Sequence, residues 1–187
     1  LASFTASPDV EKVVFKWATE SESDNLGFNI FRKATTESEW IIVNDVLIAG
    51  QGNASVRTSY EFIDRQVIAG ESYSYKLESL AYDCAINVEQ VVDLLIPIPE
   101  DFVLYNNYPN PFNPSTVIQF DLPAHTDVRL DIYNAQGQQV KTLVDNSMNA
   151  GTHSVTWDRT NDRGDIVSSG LYVYTMRAGD FQASAKM

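Results

Sequence analysis

Few side chains of this 187-residue chain suit acid–base, nucleophilic or metal chemistry. There are two histidines, His125 and His153, and one cysteine, Cys84. Neither histidine lies beside a nucleophile in a recognisable pattern. A G-x-S-x-G turn, an H-E-x-x-H pair and a phosphate-cradling glycine loop are all missing. Acidic residues are plentiful, but a glycosidase-type carboxylate pair needs a cleft, and nothing in the sequence signals one. The chain is therefore read as non-enzymatic, with no catalytic, cofactor-binding or metal-ligating residue assigned.

Oxygen ligands are the remaining chemistry. Asp158, Asn161, Asp162 and Asp165 fall within eight residues, and calcium takes hard oxygen ligands from tight loops. Arg163 stands where an EF-hand loop requires glycine, and Arg159 and Arg163 offset part of the charge. A hairpin turn is the stronger reading of Asp158–Asp165, with Asn and Asp bonding their own backbone and Gly164 at positive φ; calcium there is the alternative. The acidic run Glu20–Asn25 reads as a solvated loop. Cys84 admits no intrachain disulfide and reads as a small buried or half-buried hydrophobe. Arg163-Gly164-Asp165 spells an adhesion tripeptide and Asn53-Ala54-Ser55 a glycosylation sequon; both are read as coincidental. Tyr105, Tyr108 and Phe112 would suit a sugar-stacking platform, but packing is the expected role of Tyr108 and Phe112.

The elements that position these groups are strands. Short alternating runs, among them Val13–Trp17, Gly27–Arg32, Trp40–Val43, Ser59–Asp64, Ser72–Leu80, Val88–Leu94 and Val117–Leu122, are separated by Gly, Asn, Asp, Ser and Pro. No window sustains a helical period. Ile96-Pro97-Ile98-Pro99 favours a stiff extended segment, so two domains are expected, 1–98 and 99–187. Each has the size of a small β-sandwich. The first carries 7 basic and 15 acidic residues and the second 6 and 10. A net charge of −12 excludes a basic nucleic-acid-binding surface and disfavours anionic membranes. No apolar run approaches the length of a membrane span. The start, Leu1-Ala2-Ser3-Phe4, lacks a basic-then-apolar leader; a secreted protein would begin here after processing or as a fragment.

One segment is more specific. Tyr108-Pro109-Asn110-Pro111-Phe112-Asn113-Pro114 holds three prolines in six residues, which excludes helix and central strand. With Asn107, Ser115 and Thr116 it resembles the opening of the C-terminal sorting domains of secreted bacterial proteins. Those domains are associated with type IX secretion and are similar to the immunoglobulin-like domain of flagellar hook-capping proteins. Further blocks follow in the family's order: Val128–Asn134 with Gly137-Gln138, Ala150–Asp158, Asn161–Asp165, Ser169–Tyr174, Ala178–Phe181 and Lys186-Met187. Family members usually continue past the Lys-Met pair with an apolar strand and a final basic residue. The present sequence stops at Met187, so its export signal is expected to be incomplete.

The first half resembles fibronectin type III domains more loosely, through Asp24–Ile30 and Val67–Tyr75. That resemblance assigns Trp17 to the space between two sheets and Tyr73 to a corner tied by its hydroxyl. The implied fold is all-β, two tandem immunoglobulin/fibronectin-like sandwiches. The implied role is a sorting or surface-attachment domain beside a spacer or adhesion module, secreted or at the cell surface. Its partners would be the outer-membrane secretion machinery or a neighbouring surface protein, with a cargo domain upstream. The alternatives are a subunit of an extracellular filament or surface layer, and a carbohydrate-binding accessory module.

Overall fold

The computed structural model describes residues 1–187 as fifteen strands without a helix, in two units, Leu1–Pro97 and Ile98–Met187. In the first, β1 (Ser3–Asp9) and β6 (Thr58–Asp64) flank β2 (Lys12–Thr19) in one antiparallel sheet. The second sheet runs β4 (Ile41–Ile42), β3 (Glu22–Ala34), β7 (Ser72–Ala81), β8 (Ile86–Leu95), and β5 (Ile48–Ala54) also pairs with β3. Period-2 alternation turns Val13, Phe15 and Trp17 of β2 toward Phe28 and Ile30 of β3 and Tyr73, Tyr75 and Leu77 of β7. Ile96 closes this core, held by backbone bonds to Gly70 and Glu71. A buried polar tie joins the sheets. Arg32 Nη1 and the Tyr75 hydroxyl both donate to Asp64 Oδ2, at 2.7 and 2.9 Å.

In the second unit, β10 (Thr116–Leu122) lies between β13 (Gly151–Trp157) and the short β9 (Val103–Leu104). The facing sheet runs β12 (Gln139–Met148), β11 (Thr126–Asn134), β14 (Tyr172–Ala178), β15 (Phe181–Lys186). Their inward rows are Ile118, Phe120 and Leu122 on one side, and Val128, Leu130, Ile132, Tyr174 and Met176 on the other. Trp157 and Tyr172 close one end, with ring centroids 5.0 Å apart. Gly137 and Gly179 take φ of 76° and 55° in the β11–β12 and β14–β15 turns, a region that glycine enters without a Cβ clash.

The strand alternation read from the sequence is present, and the fold is an all-β tandem sandwich. Trp40–Val43 contributes only the two-residue β4. β1 and β5 have no counterpart in the sequence reading. Both are edge strands with half-polar compositions, SFTASPD and IAGQGNA, which lack the apolar alternation of a buried strand.

Candidate functional site

The proline-rich entry is organised by a residue to which the sequence reading gave no role of its own. Asn107 is 3% exposed. Its side-chain amide donates to Pro109 O at 3.1 Å and Thr116 Oγ1 at 2.9 Å. The Thr116 hydroxyl also donates to Pro109 O, and Asn110 Nδ2 to Asn107 Oδ1. The backbone amide of Asn107 donates to the Tyr174 hydroxyl, which in turn donates to Tyr105 O. Prolines supply no backbone donors, so side-chain amides and a hydroxyl take that part. Burial raises the Tyr174 phenol above its ordinary value, and the bond to the Asn107 amide offsets only part of this. The X-Pro bonds before Pro109, Pro111 and Pro114 are cis.

Phe112 packs as expected, its ring 5.4 Å from that of Trp157. Tyr108 does not: it is 81% exposed. The cause is its register opposite Val117, an outward position of β10, which leaves its side chain on the solvent face. Tyr105 donates to Asp121 Oδ2. The three rings thus take three separate tasks.

The Asp158–Asp165 loop has the hydrogen bonds of a turn. Asn161 Oδ1 accepts from the amides of Arg163 and Asp165, both at 2.9 Å, and Gly164 has φ of 88°. Asp158 Oδ1 accepts from the hydroxyl and amide of Thr160. Those bonds, side chain first, with Lys141 nearby, hold the Asp158 carboxyl below its usual range. Asp162 Oδ1 accepts from the Thr142 amide at 3.0 Å, which pins the loop to β12. One side-chain oxygen of each of Asp158, Asn161, Asp162 and Asp165 thus accepts from a protein donor.

The Glu20–Asn25 run departs from expectation. Its last four residues, Glu22 to Asn25, belong to β3, and Glu22, 8% exposed, is not solvated. Its carboxylate accepts from Thr19 Oγ1 (2.8 Å), Asn25 Nδ2 (2.6 Å), the Gln51 amide (2.8 Å) and the Tyr60 hydroxyl. Burial alone would raise the Glu22 pKa. The bonds from Tyr60, Gln51, Asn25 and Thr19 together outweigh it and leave it lowered. The Tyr60 phenol is pushed up by burial and by the same carboxylate. No local pattern announces this site, because its donors come from three separate stretches of chain.

Trp17 and Tyr73 sit where the fibronectin resemblance placed them. Trp17 is buried, stacked on Tyr60 at 5.4 Å with Phe28 edge-on at 5.6 Å. The Tyr73 hydroxyl accepts from the Ile68 amide at 3.3 Å. Cys84 is exposed, contrary to expectation. It occupies the β7–β8 turn with φ of 69°, and a turn tip points away from the core. His125 Nδ1 meets Asn149 Oδ1, and His153 stacks on Phe120 with Nε2 at Asn149 O. Asn53 Oδ1 accepts from the Asp24 amide.

No curated protein matches the chain. Among solved structures, dimeric latent PorU from Porphyromonas gingivalis is similar at 15% identity with a TM-score of 0.40. That match covers 99% of this chain but only 19% of PorU. A two-domain fibronectin type III segment of chicken tenascin is similar at 10% identity and a TM-score of 0.37, covering 99% and 97%. The central fibronectin III array of RIM-binding protein is similar at 14% identity and a TM-score of 0.36, covering 98% and 59%. Within the second unit, residues 110–180 match the family of FlgD Ig-like domains.

Proposed function

We propose that the second unit, from about Phe102 onward, is an address that sorts a secreted bacterial protein or attaches it to the cell surface. The first unit would act as spacer or adhesion module. The observation that carries this reading is the ordered run of blocks, from Asn107 to Met187, that resemble those of sorting domains. It falls on one compact unit, 110–180 of which match an Ig-like domain family. The physical logic is that an autonomously folded tail presents one surface to a receptor whatever precedes it. The Asn107 network fits that logic, since it gives the entry segment a defined shape. The test is fusion of this unit, with any native residues that follow Met187 included, to a periplasmic reporter in a host with a type IX system. Reporter reaching the surface only with the tail supports the reading. Export that is unaffected by deleting the tail overturns it.

A structural role has one observation in its favour. β8 ends its sheet and exposes Ile86, Val88, Val91 and Leu95. Such an edge can accept a strand from a neighbouring chain. Concentration-dependent filaments under electron microscopy, lost on Val88→Lys, would favour this reading.

A further inference from the structure

The entry segment presents two tyrosines on one face of the sheet formed by β9, β10 and β13. Tyr105 and Tyr108 are three residues apart, an odd spacing that sends side chains to opposite faces of a regular strand. Their partners on β10 are only two apart. The Tyr105 amide donates to Gln119 O, and Tyr108 and Val117 exchange both backbone bonds at 2.9 Å. The entry thus carries one extra residue against β10, as a β-bulge does. Asn107, buried between them, takes the inward side, and both rings are left outward.

β13 widens the face. One row runs Tyr108, Val117, Thr156, and the next Tyr105, Gln119, Ser154. Tyr108 is 81%, Tyr105 42% and Val117 39% exposed. Apolar side chains exposed singly need no explanation, but three neighbours on one face do. Gln119, Ser154 and Thr156 spend no side-chain hydrogen bond within the protein. The row beyond adds Asp121, whose two oxygens accept from the Tyr105 hydroxyl and Thr152 Oγ1, both at 2.6 Å. None of the 13 basic residues stands on these rows. The frame is also set in advance. Pro109 fixes φ directly after Tyr108, the Asn107 amide holds Pro109 O, and Asp121 anchors the Tyr105 tip. Little ordering is therefore left for a ligand to impose.

We propose that this face binds a neutral, ribbon-like β-glucan of the cellulose type. The apolar C–H faces of its sugar rings lie on Tyr108 and Tyr105, and Gln119, Ser154 and Thr156 bond its hydroxyls. Tyrosine suits such a ligand because it offers a flat apolar body with a polar tip. The positions opposite the two tyrosines lie about 7 Å apart along β10, the scale of a sugar ring with its linkage. A sheet surface suits an extended ribbon, not a molecule that must be enclosed. Charge selects a neutral polymer. The chain's net charge of −12 repels acidic polysaccharides, and no cation on these rows attracts one. This assignment does not depend on the sorting role.

The test is affinity electrophoresis of the full chain in native gels containing hydroxyethylcellulose, with dextran and polygalacturonate gels as comparisons. Hydroxyethylcellulose should retard the protein, and the flexible and the acidic polymers should not. Tyr108→Ala should raise the apparent Kd at least about tenfold, with the melting temperature unchanged because the side chain lies in solvent. Tyr108→Trp should keep the retardation. Ile166→Ser removes an exposed apolar side chain away from this face and should leave binding as it was. The proposal is overturned by no retardation in hydroxyethylcellulose, by equal retardation in all three polymers, by an unchanged Tyr108→Ala variant, or by loss of binding in Ile166→Ser.

Discussion

Trp17 carries a large share of the first core, and its indole N–H has no acceptor. Trp17→Ala should cost about 3–5 kcal/mol in urea unfolding, as large aromatic truncations in cores do. Trp17→Phe should cost much less, since it keeps the stack on Tyr60 and removes an unsatisfied donor. A loss below about 1 kcal/mol for the alanine variant would place the core elsewhere. Glu22 sets the acid limb. Its folded pKa is depressed below the ordinary 4.5, so its stabilisation is present in full above that value. It is lost as pH falls through the folded pKa. Urea midpoints taken from pH 7 to pH 3 should fall less steeply for Glu22→Gln than for the parent. Parallel curves would remove Glu22 from the account. Asn107→Ala should cost about 1–3 kcal/mol, because it removes the amide bonds to Pro109 O and Thr116 Oγ1 and the acceptor of Asn110 Nδ2, and so loosens the segment after it. Faster proteolysis between Tyr108 and Pro114 is the companion readout.

At the scale of the element, the Asp158–Asp165 turn holds itself through Asn161 and is tied to β12 through Asp162. Asp162→Ala should lower the melting temperature equally with and without millimolar calcium. A rise with calcium that vanishes in Asp162→Ala would restore the ion-binding reading by mass action. Legibility was uneven at this scale. Strands buried on one face were plain, since Val13-Val14-Phe15-Lys16-Trp17 and Ser72–Leu80 write their inward rows into the alternation. β1 and β5 were not, because an edge strand takes its identity from the partner's backbone and not from its own side chains. The Asn161 turn was legible because Asn, Asp and Gly bond locally. The Glu22 site was hidden because Thr19, Gln51 and Tyr60 converge only after the sheets fold. Tyr108 was misread for a related reason: proline stiffness constrains the backbone and leaves the ring's direction to the register against β10.

At the scale of the molecule, each unit has a continuous core of its own. Residues 98–187 expressed alone should therefore unfold cooperatively with near-ultraviolet dichroism from Trp157 and Tyr172. A non-cooperative melt would contradict an autonomous tail. The two units also differ in what their surfaces offer. The first exposes an apolar edge on β8, while the second scatters its exposed apolar side chains, among them Ile98, Tyr108 and Ile166. One further property belongs to the molecule entire. Its only thiol, Cys84, stands at an exposed turn. Air oxidation can couple two chains there and then has nothing left to couple, so the product stops at a covalent pair. The same arithmetic makes a maleimide dye attach once per chain, at a known place in the first unit, with no residue to be engineered first.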